Sequence, residues 1–154
     1  MTDPTSASPP SPAAPRARRS RAREVALQVL YEAEANPASR PDRSAFLKGR
    51  LRSGPLVAFA ESLIAGVERR RPEIDALLES TSEHWRVTRM AATDRAALRI
   101  AVFELLHTDT PGPVVVDEAI ELARRYGNDA SPRFVAGILG KLLEARGGRA
   151  AADG

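Results

Sequence analysis

Cysteine is absent from the 154 residues. Its absence excludes disulfide staples, thiolate nucleophiles and Cys-ligated zinc. Lysine is nearly absent too, occurring only at Lys48 and Lys141, so almost every positive charge is a guanidinium. Guanidinium is a planar fork suited to phosphate oxygens and to stacking, although a GC-rich coding sequence produces the same bias. Aromatic residues make up only 5% of the chain. Strand-like alternation is rare and β-branched residues are sparse, which argues against a sheet protein. No run approaches the roughly 18 apolar residues of a membrane span. The N-terminus lacks the apolar stretch of a secretory signal, so a cytoplasmic protein is expected. The two histidines, His84 and His107, stand far apart with no metal-ligand spacing. There is no Gly-rich phosphate loop, and no Ser/His/Asp set can be assigned. No catalytic residue, metal site or cofactor is therefore read, and the expectation is a non-enzyme.

What is present is a core of Ala, Leu, Val and Ile at helical spacing, with 43% hydrophobic residues overall. The pattern predicts an all-α protein of about seven helices. The first spans roughly 20–35 and ends at Asn36-Pro37. A short second covers 44–51, and a third begins near Pro55. Pro72 opens a fourth with Glu73 and Asp75 in its first turn. Trp85 falls in a loop. The fifth helix, about 89–107, places Ala97, Leu98, Ala101, Val102 and Leu105 on one side. Pro111-Gly112-Pro113 interrupts the chain before a sixth helix from about Val115, which ends in Arg124-Arg125-Tyr126-Gly127 with Gly at the C′ position. Ser131 is read as the N-cap of the seventh, with Pro132 next. Glu118 and Glu121 are expected on a solvated face or paired with Arg124 and Arg125. Residues 1–17 read as a disordered Pro/Ser/Ala-rich arm, 18–145 as one helical domain and 146–154 as a flexible tail.

Net charge is only +3, a weak pointer to a polyanion partner. Its distribution says more. Arg16, Arg18, Arg19, Arg21 and Arg23 fall in one window without an acid. Arg16, Arg19 and Arg23 share a helix side if the first helix extends that far back. Cations at a helix N-terminus are mildly unfavourable, by roughly 0.3–1 kcal/mol each. Five there point to a use beyond stability, and a single strand of RNA is the natural ligand for such forks. Charge alone does not separate that use from a solubilising terminus.

Four segments in order carry a family resemblance. They are Arg21-Ala22-Arg23-Glu24-Val25-Ala26-Leu27-Gln28-Val29-Leu30-Tyr31; Trp85-Arg86-Val87-Thr88-Arg89-Met90 followed by 94–105; 113–123; and Ser131-Pro132-Arg133-Phe134-Val135-Ala136-Gly137-Ile138-Leu139. Over about 18–145 the chain resembles the bacterial transcription antitermination factor family NusB. The resemblance implies two packed three-helix subdomains. It implies binding of single-stranded boxA RNA in ribosomal RNA transcripts, and a heterodimer with the ribosomal protein NusE. With other Nus factors the pair would join the elongating RNA polymerase and oppose termination.

Carried over by position, Arg19, Arg21 and Arg23 match the family's RNA-binding arginines, with Arg16 and Arg18 beside them. Ser20 interrupts the run. Tyr31 matches an aromatic at the junction of the RNA and partner surfaces. Phe134 matches a residue near RNA, with Arg133 adjacent; plain core packing is its other reading. Asp94 and Arg95 match a charged pair near the partner interface, the other reading being an exposed helix pair. The chain departs from the family pattern at Ala130, Ala136 and Gly140, all around the last helix. Monomer and homodimer both stay open. So do two further readings, a helical domain like the N-terminal domain of rRNA cytosine methyltransferases and a pure protein-interaction bundle.

Overall fold

The computed structural model describes residues 13–39, 41–83 and 85–153, and side chains from 18 to 147 within them. Among these, seven α-helices and one 3-10 turn appear, and no strand. The helices are α1 (Ala13–Ala35), α2 (Arg43–Leu51), α3 (Gly54–Arg69), α4 (Arg71–Ser82), α5 (Ala92–His107), α6 (Gly112–Tyr126) and α7 (Ser131–Asp153), with the 3-10 turn at Val87–Arg89. Helices α1–α3 pack together as one group. Helices α5–α7 form the second, and α4 lies against α5 and α7. The groups join where α1 and α3 meet α5.

Local chemistry sets most of the boundaries. The Asp42 carboxylate accepts from the Ala45 amide at 3.0 Å and caps α2. Ser53 caps α3, with Pro55 in the first turn where no amide is needed. Arg52, at φ 53°, ends α2 in the left-handed region, a place glycine usually takes. The first helix starts earlier than its apolar pattern predicted, because Pro15 falls in its opening turn and breaks no bond there. The sixth also starts earlier, with Pro113 inside its first turn. Helix α7 continues to Asp153, past the glycine pair at 147–148 where fraying was expected.

Two expected caps are corrected. Ala130, not Ser131, accepts the first α7 bond, from the Phe134 amide at 3.0 Å. The Ser131 hydroxyl instead accepts from the Asn128 amide at 3.0 Å, and Asn128 Oδ1 accepts from the Ala130 amide at 2.9 Å. Gly127 is extended rather than left-handed, at φ −95°. Its small size has another use: a Cβ there would overlap the Ser131 side chain and the Ala123 carbonyl.

The core has two axial helices. On α5 every residue from Ala96 to Leu105 is buried, so the predicted one-sided stripe is in fact covered all round. On α1 every residue from Ala22 to Leu27 is buried. Both stretches include charged residues, and these must find partners inside. No helix among the described residues is long and apolar enough to cross a membrane.

Candidate nucleic-acid interface

The arginine window divides where α1 enters the bundle. Arg18, Arg19 and Arg21 precede Ala22 and are exposed. The side chain of Arg16 lies outside the described residues. Arg19 lies over the Phe59 ring at 5.2 Å from its centroid, a cation–π contact that leaves the group open to water. Arg21 reaches forward one turn to Glu24 at 3.0 Å and keeps 45% of its side chain exposed.

Arg23 corrects the expectation from the sequence. It is 2% exposed. Its Nε and Nη2 donate to the two Glu104 oxygens, each at 2.8 Å, and Nη1 lies 3.9 Å from Glu118. The Phe59 ring covers its guanidinium at 5.2 Å. A buried guanidinium is tolerated only with such pairing. Arg23 therefore ties α1 to α5 and does not reach a ligand in solution. Glu118 is likewise not on a solvated face: it is 6% exposed and accepts from Ser20 Oγ at 2.8 and 2.7 Å. Ser20, which breaks the arginine run, thus faces α6. Glu121 does pair with Arg124 and Arg125, at 2.6 and 3.3 Å.

Beside the arginines runs a cleft of about 680 Å³ between α1 and α6, lined by Arg21, Glu24, Glu121, Arg124 and Arg125 among others. Glu24 lines it and pairs with both Arg21 and Arg125. The charge of Glu24, and then its hydrogen bond and that of Glu121, push the Arg125 pKa above its already high value. Arg124 and Arg125 were legible in the sequence only as cations closing α6. Their nearness to Arg21 is a product of the α1–α6 packing.

The expected partner pair is corrected too. Asp94, in the first turn of α5, is 5% exposed, and its Oδ1 is buried with no hydrogen-bond partner among the described residues. Arg95 keeps 12% of its side chain exposed. Its guanidinium pairs with Glu34 and donates to the carbonyls of Val87 at 3.1 Å and Met90 at 2.7 Å. Burial, and then the neighbouring Arg99 charge, lower the Arg95 pKa from its usual value. Arg99, itself 7% exposed, bridges Asp75 at 2.9 Å and Glu34 at 3.0 Å. This network joins α1, α4 and α5 and offers no open charge pair to a partner.

Tyr31 is 42% exposed on α1. It stands one turn from Gln28, which donates to the Tyr126 hydroxyl at 3.5 Å, and one turn from Glu34. Arg133 is exposed at the start of α7. Phe134 is partly buried against the core, and its ring meets the exposed Trp85 edge to face at 5.8 Å. His107 lies 3.1 Å from Glu73 and beside the Phe103 ring, and His84 lies outside the described residues. No group of three metal-ligating side chains occurs among the described residues.

Fold and charge together define an all-α bundle of two helix groups whose first helix carries exposed arginines before it enters the core. The NusB family model matches residues 20–144. The transcription antitermination protein NusB of Anaeromyxobacter dehalogenans is 45% identical over 127 residues, covering 81% of this chain and 89% of that protein. That of Rubrobacter xylanophilus is 40% identical over 122 residues, covering 79% and 86%. A solved structure of T. maritima NusB superposes with a TM-score of 0.73 at 33% identity, covering 82% of this chain and 90% of that one. A crystal structure of antitermination factors NusB and NusE in complex with dsRNA gives 0.68 at 26% identity, covering 84% and 98%. The chain belongs to the NusB family, a family of transcription antitermination factors rather than enzymes. Each of these matches spans most of the relative's own length, so the likeness extends over whole NusB proteins.

Proposed function

We propose that this protein binds single-stranded boxA RNA of ribosomal RNA transcripts in the cytoplasm. In this reading it does so together with NusE, and the pair helps the elongating RNA polymerase and its other Nus factors resist termination. One observation carries the reading: Arg18, Arg19 and Arg21 stand exposed at the end of α1, just before the helix enters the core. Guanidiniums so placed meet phosphates without disturbing the fold. The similar NusB–NusE complex with dsRNA supports both kinds of partner. Arg16 adds an outer phosphate contact. Tyr31 lies at the junction of RNA and NusE, and Arg133 and Phe134 extend the RNA surface to α7. A homodimer is the state in which this surface is covered.

The test measures binding of a boxA-like single strand, a scrambled strand and a duplex, with and without NusE, across salt concentrations. The boxA strand is expected to bind best, and NusE to tighten it. Affinity falls with salt at a log–log slope of about −0.7 per phosphate contact. Arg18→Ala, Arg19→Ala and Arg21→Ala together make that slope shallower. Salt-insensitive binding, or equal binding of scrambled RNA with and without NusE, refutes the reading.

A further inference from the structure

Trp85 is the chain's only tryptophan, and it is 52% exposed. Tryptophan is highly buried on average, because its large apolar ring gains from leaving water. Here the backbone is built to keep the ring outside. Ser82 Oγ donates to the Trp85 carbonyl at 2.6 Å and closes the turn after α4, in which Glu83 sits at φ 59°. The Val87 amide donates to Glu79 at 3.2 Å. From the other side Arg95 holds the Val87 and Met90 carbonyls. The Trp85 and Phe134 rings are near perpendicular, at 77°. In such a pair at least one indole face is free of the phenyl ring. Arg86 and Arg133, the chain neighbours of Trp85 and Phe134, are both exposed. An open aromatic face, with exposed arginines next in the chain to each ring of the pair, fits a single nucleic acid strand, which lays a base on the ring and its phosphates on cations.

We infer that Trp85 is a base-stacking platform for single-stranded RNA, buttressed by Phe134 and flanked by Arg86 and Arg133 as phosphate contacts. The inference rests on the RNA reading above and lengthens the path of the strand. Tyr31 stands between the two ends of that path: one turn before it Gln28 touches Tyr126 on α6, and one turn after it Glu34 pairs with Arg95, which grips the Trp85 segment. The strand thus leaves the cationic end of α1, passes Tyr31 and finishes on the connection between α4 and α5.

Because Trp85 is the sole tryptophan, its emission reports this site alone. The full-length protein is titrated with an unlabelled boxA-like single strand while emission is followed. A fluorescein-labelled copy of the strand reports binding separately by anisotropy. Quenching is expected to saturate at the same midpoint as anisotropy. Trp85→Ala weakens binding about tenfold, whereas Trp85→Phe, which keeps a stacking ring, stays within a few fold of wild type. Unchanged emission alongside a full anisotropy change overturns the inference and leaves the RNA reading standing. No anisotropy change overturns both. If NusE alone shifts the emission and RNA adds nothing, the ring belongs to a protein interface, and the inference again fails. The wild-type titration needs no substitution, so a misfolded Trp85→Ala does not rescue the idea.

Discussion

Arg23 and Glu104 face each other across the α1–α5 contact as a bidentate ion pair, with both hydrogen bonds at 2.8 Å and both side chains all but closed to water. The arginine that best completes an RNA motif in the sequence is thereby a structural element. Removing one partner strands the other charge in the interior. Glu104→Ala is expected to cost about 3–5 kcal/mol in urea unfolding, and the double change Arg23→Met with Glu104→Leu to recover most of it. The double variant, once folded, is expected to bind RNA with wild-type affinity. A large loss of RNA affinity in that folded variant would return Arg23 to the binding set.

Glu24 acts as a counter-charge inside the candidate interface, holding Arg21 and Arg125 at once. A phosphate approaching these guanidiniums competes with it. Glu24→Gln removes the negative charge and keeps the shape. Tighter RNA binding at low salt, by roughly two- to fivefold, is expected, with a steeper salt dependence as more cation becomes available to phosphate. Weaker binding, measured by anisotropy at matched salt, would mean that Glu24 orients the arginines for RNA.

Glycine substitutions separate close packing from mere helix interior. A Cβ at Gly66 would overlap the Phe103 ring where α3 meets α5, and one at Gly127 would overlap Ser131. Gly66→Ala and Gly127→Ala are each expected to destabilise by about 1–3 kcal/mol. Gly137 on α7 meets nothing within 4 Å. Gly137→Ala is therefore expected to stabilise by about 0.5–1 kcal/mol, through helix propensity alone. Thermal melts of the three variants check the ordering, and a destabilised Gly137→Ala contradicts it.

The Arg43–Glu68 pair links α2 to α3 with hydrogen bonds at 2.7 and 2.9 Å. The hydrogen bond from Arg43, with a smaller contribution from its charge, lowers the Glu68 pKa below the ordinary 4.5. A lowered carboxylate pKa stabilises the fold above the unfolded value, and that stability is lost as pH falls through the folded value. More than a third of each side chain is exposed, so solvent screening holds the contribution to the lower part of roughly 0.2–1 kcal/mol. Arg43→Ala is expected to be slightly less stable than wild type near neutrality and equal to it in acid below the lowered Glu68 pKa. A gap between the two that persists there would assign the effect to packing.

Helix content and boundaries were largely legible in the sequence, because apolar spacing, Pro in first turns and cap residues act over a few residues. Asp42 and Ser53 cap the helices they precede. The exceptions have local causes as well. Pro15 and Pro113 fall in opening turns that tolerate them, and Ser131 spends its hydroxyl on Asn128. The candidate site was less legible. Arginines at 19, 21 and 23 look equivalent in a list, and a glutamate within the apolar stretch of α5 was the one sign that a cation must be buried against it.

From residue order alone came the all-helical class, the family and the arginine-rich start of α1. These depend on periodicity, composition and the succession of motifs, all of which are properties of neighbours along the chain. How deep each side chain lies along a helix axis depends on where other helices end. That depth is why Arg21 meets water while Arg23 meets Glu104, why Asp94 and Arg95 turn inward, and why the lone tryptophan stands exposed against Phe134.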